Sequence, residues 1–297
     1  MNLLKFPPAL VPGNRLIAVL PSGALSELEA FEAGVAVWLS RGYEVVLPPD
    51  LRVRRGYLAG ADLVRRSQLE QALSDPACHA ILCVRGGYGG ARLLEDWHWP
   101  EAEPRWLVGF SDITALLWAQ AVRGRAGLHG PLLTTLGREP HWSIDRLFDA
   151  VEGRALAPLN GQGWGNGRAQ GLLLPANLTV ATHLLGTALC PDLTGTILAF
   201  EDVGEQPYRL DRMLTQWRMC GAFAGVRGIA LGRFSQCEPL HPERSLSVVE
   251  VLQDRLGDLG LPIVSELPFG HDGVNAALPV GCPVVLDGDA GVLAFEP

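Results

Sequence analysis

A serine ends the apolar run Leu107-Val108-Gly109-Phe110-Ser111, and a helical pattern starts directly after it. A hydroxyl in that place either caps the helix or is held clear of the sheet as a nucleophile on a strand-to-helix turn. Capping is the commoner role, so Ser111 needs partners before it counts as chemistry. A serine nucleophile requires a base, and the base requires an orienting group. Among the seven histidines, His271 stands apart, in the Gly- and Pro-punctuated loop LPFGHDGVNAALPVG (267–281). Loops of that kind on a rigid scaffold are where catalytic groups concentrate. His129, in GLHGP (127–131), reads equally as lining a site or making a turn. His79, inside an apolar strand pattern, and His183, among apolar helical neighbours, are expected to be structural. For the orienting group, Glu201 and Asp202 close the apolar strand TILAFED (196–202), where core packing explains two acids poorly. A place at a helix N-terminus is the competing reading for Asp202. The segment RGGYGG (85–90) offers backbone amides for a phosphate, for an oxyanion, or for nothing beyond a tight turn. It matches neither nucleotide-binding glycine fingerprint. No H-E-x-x-H or similar ligand pair occurs, and neither a metal nor a cofactor is expected.

Those residues need elements to hold them. LIAVL (16–20), YEVVLP (43–48), HAILCV (79–84) and WLVGF (106–110) read as buried strands. They alternate with helices predicted over 26–42, 61–75 and 112–122, the first opening on a Ser26/Glu29 capping box. Continuous apolar strands separated by helices imply an α/β fold with a parallel sheet covered on both faces. Ligands of such sheets bind at the carboxyl ends of the strands, where RGGYGG and Ser111 fall. Residues 153–170, rich in Gly and Asn, read as a linker or mobile loop between an N-terminal domain (1–152) and a C-terminal α/β domain (171–297). In the second half, strands are expected over 196–202 and 226–232, and helices over 207–221 and 243–260. The interface of two such domains is a natural place for a ligand.

Bulk properties narrow the classes. A chain of 297 residues with 48% hydrophobic residues and a formal charge of −8 is globular and a poor partner for nucleic acid. The basic clusters at 52–55 and 65–66 are short and read as solvated faces. No apolar run suits a signal peptide or a membrane span, and six scattered cysteines show no C-x-x-C pair. A cytoplasmic protein without a membrane partner is the expectation.

RGGYGGARLLE (85–95), GFSDITALL (109–117), HGP (129–131), LAFEDVGEQPYRLDRMLTQW (198–217) and PFGHDGVNAALPVG (268–281) occur together in this order. With them the chain resembles the LD-carboxypeptidases, serine peptidases of the muramoyltetrapeptide carboxypeptidase type, which include the microcin C self-immunity hydrolases. The resemblance implies a flavodoxin-like N-terminal domain, a smaller α/β C-terminal domain and a homodimer. It also implies a catalytic triad of Ser111, His271 and Glu201. In the mechanism this suggests, the N–H groups of Gly87 and Asp112 would form the oxyanion hole, and Gly86 and Arg85 would bind a muropeptide substrate. An ordinary surface ion pair is an equal reading of Arg85. The family's usual Gly-Gly-Asn is replaced here by Pro175-Ala176-Asn177, which leaves the substrate less determined than the chemistry. Hydrolysis of an acyl-adenylate antibiotic is the nearest alternative, with Trp164 available to stack on a base. A non-enzymatic ligand-binding module is another class, and it predicts that Ser111→Ala changes nothing. A nucleotide-binding oxidoreductase built on RGGYGG lacks its fingerprint and its ribose acid.

Overall fold

The apolar runs of the first half become the strands of a parallel sheet. The computed structural model describes residues 3–296. In chain order come β1 (Arg15–Val19), α1 (Leu28–Ser40), β2 (Glu44–Val46), α2 (Asp62–Ser74), β3 (Cys78–Cys83), β4 (Trp106–Gly109), α3 (Thr114–Val122) and β5 (Leu128–His129). Helices α4 (Leu133–Leu136) and α5 (His141–Val151) follow. The strands pair in parallel in the order β2-β1-β3-β4-β5, the flavodoxin-like arrangement. Its strand order reverses between β1 and β3, which opens a crevice at their carboxyl ends.

Two local expectations fail here. α1 starts at Leu28 with Glu27 at its N-cap, so Ser26 and Glu29 fall one residue out of capping-box frame and make no such cap. His79, expected in the core, is exposed near the amino end of β3, while the other five residues of that strand are buried.

The second half builds a mixed sheet from β6 (Leu159–Asn160), β7 (Gln162–Gly163), β8 (Arg168–Asn177), α6 (Leu178–Leu184), β9 (Thr196–Val203), α7 (Pro207–Met219), β10 (Gly228–Ser235), α8 (Val248–Leu256) and β11 (Ile263–Ser265). Strand β12 (Leu278–Pro279) comes next, then β13 (Pro283–Asp287) and β14 (Val292–Phe295). The centre is β8-β9-β10-β11, all parallel, with the other strands antiparallel at its flanks. Because these four strands follow one another across the sheet, right-handed crossovers put α6, α7 and α8 on one face. The helix expected over 243–260 is divided: a 3-10 turn at Pro242–Arg244, then α8 behind a Ser247/Glu250 capping box, then a second 3-10 turn.

The chain divides into two compact units, one of 4–154 with 277–280 and one built from 155–276 and the segment after 280. The stretch expected as a linker is structured. β6 and β7 lie within it and join the second sheet. Its glycines allow close approach rather than movement: a Cβ on Gly161 would lie 2.1 Å from the Ser265 carbonyl oxygen, and one on Gly163 2.1 Å from that of Gly288. Four residues near the C-terminus return to the first unit, where β12 pairs antiparallel with β5, Leu278 opposite His129. Among the described residues, no helix is long and apolar enough to cross a membrane.

Candidate active site

In the first unit the candidate residues gather at the carboxyl ends of β1, β3 and β4. Ser111 has φ +64°, a left-handed conformation for a non-glycine residue. Such backbone costs on the order of 1–3 kcal/mol and persists only where the surroundings impose it. Neither the 3-10 turn Ser111–Ile113 nor α3 carries a side-chain cap, so the hydroxyl does not cap the helix. The strained turn is the geometry that lifts a nucleophile off a strand end.

The Gly-rich segment packs directly on this turn. A Cβ on Gly86 would lie 3.0 Å from both Cβ and Oγ of Ser111. Gly87, at φ +102°, follows, and among the described residues no protein acceptor takes its N–H. The Asp112 N–H is one of the amides that a helix start leaves without an intrahelical acceptor. The Asp112 carboxylate is buried and accepts hydrogen bonds from Ser22 Oγ (2.5 Å) and Gly90 N–H (2.7 Å). It thereby ties the loops after β1 and β3 to the residue following Ser111. Burial pushes its pKa up, against those hydrogen bonds.

A second tie comes from Arg65, read from sequence as part of a solvated basic pair but fully buried. It donates to the carbonyls of Pro21 and Gly89, and pairs with Asp62. Arg92 also binds Asp62, and chiefly for that reason the Asp62 carboxyl drops to about 2. Arg85 donates to the Ala24 carbonyl (2.7 Å), so part of its fork is spent joining the same two loops. His129 is buried in β5, its ring edge-on to Phe110 at 5.7 Å.

In the second unit, the candidates lie at the carboxyl ends of β8, β9 and β11. His271 Nδ1 is 2.6 Å from Glu201 Oε2, and Glu201 is fully buried. A carboxylate has only acceptors to offer, so the Nδ1 hydrogen points at Glu201 and Nε2 lies on the ring edge away from it. The loop bearing His271 is closed on itself, with Ala276 N–H donating to the Pro268 carbonyl and Gly270 N–H to Asn275 Oδ1.

Asn177, opposite Glu201 in the β8–β9 pairing, joins both acids. Its amide nitrogen lies 3.2 Å from Glu201 Oε1 and 3.2 Å from Asp202 Oδ1, while its oxygen caps α6 through Val180 N–H. Asp202 accepts from the N–H and hydroxyl of Thr179 at the start of that helix, each at 2.8 Å. The helix-terminus reading of Asp202 therefore holds, at α6. Burial, with the charge of Glu201 second, raises its carboxyl to about 6. Trp164 is fixed by its ring N–H to Ser265 Oγ (2.9 Å) and its backbone N–H to the Ile263 carbonyl. His183, expected among structural residues, is exposed on α6. Among the described residues, no cluster of three or more His, Cys, Asp or Glu is arranged to hold a metal ion.

The first unit thus holds a strained serine turn beside a glycine-rich segment, and the second a histidine against a buried glutamate. The family models for the LD-carboxypeptidase N-terminal and C-terminal domains match residues 17–130 and 170–286. The chain belongs to the LD-carboxypeptidase family. A Synechocystis sp. protein bearing a carboxypeptidase name is 56% identical over 99% of this chain and 98% of its own length. The murein tetrapeptide carboxypeptidase of Pseudomonas aeruginosa is 32% identical, over 93% of this chain and 94% of its own. The muramoyltetrapeptide carboxypeptidase of Oxalobacter formigenes superposes with a TM-score of 0.84 at 28% identity, covering 95% of this chain and 97% of that one. The microcin C7 self-immunity protein MccF, complexed with glutamyl sulfamoyl guanosine, shares the fold at 19% identity, with a TM-score of 0.85 over 100% of this chain and 99% of its own.

Sequence reasoning missed the roles of Ser22, Arg65 and Asn177. Arg65 carries no local signal, since a buried arginine in a helix is spelled like an exposed one. Asn177 was visible only as the last residue of an altered motif.

Proposed function

We propose that this carboxypeptidase cleaves the bond between an L-centre and a C-terminal D-residue, releasing D-Ala from muropeptide tetrapeptides in cell-wall recycling. The observation that carries the reading is the 2.6 Å contact of His271 Nδ1 with the buried Glu201. It has the orientation in which a catalytic imidazole presents Nε2 to a serine. Ser111 attacks the carbonyl carbon as His271 Nε2 takes its proton, and Glu201 stabilises the imidazolium that forms. The amides of Gly87 and Asp112 receive the oxyanion, a contribution of roughly 100- to 1,000-fold for each donor. The same histidine passes its proton to the leaving amine, and water then attacks the acyl-enzyme. Gly86 lines the path of the scissile bond, and Arg85 is the candidate cation for the terminal carboxylate with its uncommitted donors. A homodimer is carried over from the family resemblance, and a cytoplasmic location from the scattered, unpaired pattern of the cysteines.

The test is mass spectrometry of a purified muropeptide tetrapeptide incubated with wild type and with Ser111→Ala. Loss of one D-Ala with wild type, and a drop of roughly 10⁴-fold or more in the variant, is expected. Cleavage that survives in Ser111→Ala removes the serine from the mechanism. If the tetrapeptide stays intact while an acyl-sulfamoyl adenylate is hydrolysed, the substrate assignment passes to the antibiotic-detoxifying branch.

A further inference from the structure

Two buried side chains of opposite charge, Arg65 on α2 and Asp112 in the turn after β4, hold the same pair of loops. Arg65 Nη1 donates to the Pro21 carbonyl in the loop after β1 and to the Gly89 carbonyl in the loop after β3, the latter at 2.9 Å. Asp112 Oδ2 accepts from Ser22 Oγ (2.5 Å) in the first loop and from Gly90 N–H (2.7 Å) in the second. A trans peptide directs its C=O and its N–H to opposite sides. The Gly89–Gly90 peptide is therefore gripped from both sides, by the guanidinium on one and the carboxylate on the other. The grip leaves no room for side chains: a Cβ on Gly89 would lie 2.9 Å from Arg65 Nη1, and one on Gly90 2.9 Å from Asp112 Oδ2.

The loop after β1, fixed in this way, aims a second peptide. Gly23 directly follows the two residues that Arg65 and Asp112 hold, and its N–H donates to the Gly86 carbonyl at 3.0 Å. By the same trans geometry, the Gly87 N–H points away from Gly23. Arg65 and Asp112 are both buried, so the groups left to face an oxyanion are main-chain amides. Stability alone accounts poorly for the arginine, since a buried ion pair adds little that an apolar side chain of similar volume would not. Aiming a peptide, by contrast, requires groups that hydrogen-bond to it.

We propose that Arg65 and the Asp112 carboxylate are positioning residues of the oxyanion hole, setting the direction of the Gly87 N–H through the loop after β1 and Gly23. The proposal rests on the serine-peptidase reading above. Neither side chain touches substrate. Loss of their grip lets the Gly86–Gly87 peptide turn, which weakens the transition state and leaves substrate binding as it was.

The test compares Arg65→Met, Arg65→Lys and the milder Ser22→Ala with wild type, by D-Ala release and by labelling with an alkyl fluorophosphonate. In labelling, Ser111 Oγ bonds to phosphorus, fluoride leaves, and the serine proton passes through the base to solvent. The phosphoryl oxygen takes the place of the oxyanion. Arg65→Met should lower kcat and the labelling rate together by about 10- to 100-fold, less than the outright removal of a donor costs, with KM within about 3-fold. Arg65→Lys, whose ammonium replaces the fork with a single point, should recover part of both rates. Ser22→Ala, which removes one hydrogen bond, should lose about 3- to 10-fold. Labelling of fewer molecules at an unchanged rate would overturn the proposal, because the side chains would then serve the fold alone. A raised KM with kcat intact would overturn it as well. If Arg65→Met does not fold, Arg65→Lys and Ser22→Ala decide by the same two rates. A wild type that labels but releases no D-Ala ends the peptidase reading alone, and the labelling rates then judge the positioning. A wild type that does neither removes Ser111 as the nucleophile and overturns both.

Discussion

The turn bearing Ser111 and the strand ends bearing Glu201 and Asp202 hold their groups by opposite means. Around Ser111 the work is done by backbone: a left-handed φ, a glycine in contact with the hydroxyl, and amides without protein acceptors. Around Glu201 the backbone is regular strand, and side chains fix the positions, with Asn177 joining two buried carboxylates and Thr179 meeting one of them. A nucleophile needs access and a set direction, which main-chain geometry provides without filling the space in front of it. A base needs a fixed tautomer and a counter-charge, which only a side-chain network supplies. The two regions should therefore fail under different substitutions.

The largest effect belongs to the side-chain region. Glu201→Gln keeps the shape but replaces the carboxylate, and kcat for D-Ala release should fall by roughly 10⁴-fold, as expected when the tautomer is no longer set. A loss below tenfold would dissolve the distinction between the regions.

Asp202 comes next, through stability. Its carboxyl titrates at about 6 rather than at the ordinary 3.8, because of burial and then Glu201. Between those values the folded chain binds a proton more readily than the unfolded chain, so this group's contribution is full below about pH 4 and is lost as pH rises to about 6. Asp202→Asn removes that titration. The variant should gain on wild type by at most about 3 kcal/mol as pH rises through the window. Urea midpoints measured across it check the sign, and a variant that loses ground instead reverses the argument.

The smallest effect tests the backbone region. In Gly86→Ala the new methyl would lie 3.0 Å from Ser111 Cβ and Oγ, so one of them must give by a few tenths of an ångström. An ångström of misplacement costs roughly 100-fold, and this smaller shift should cost kcat about tenfold with little change in melting temperature. Steady-state kinetics beside a thermal melt read both quantities.

Legibility followed the same division. The parallel strands, the serine turn and the loop of His271 were visible because each is a local pattern: apolar runs, a strand-to-helix junction, Gly and Pro around a lone polar residue. What depends on register or packing was not. That Asn177 faces Glu201 follows from how β8 pairs with β9. That Gly161 and Gly163 serve close strand approach, and no flexible linker, follows from partners about a hundred residues away or more.

The return of 277–280 to the first unit bears on how the protein is made. On the ribosome, β1 to β5 emerge before the second unit, but the strand that pairs with β5 is encoded only after β11. Until then β5 presents an open edge, the kind of surface that invites wrong pairing in a nascent chain. The first unit therefore does not finish folding ahead of the second. Its sheet is completed only after residues 277–280 have emerged, and a message truncated before that strand yields a product whose oldest part is still unfinished.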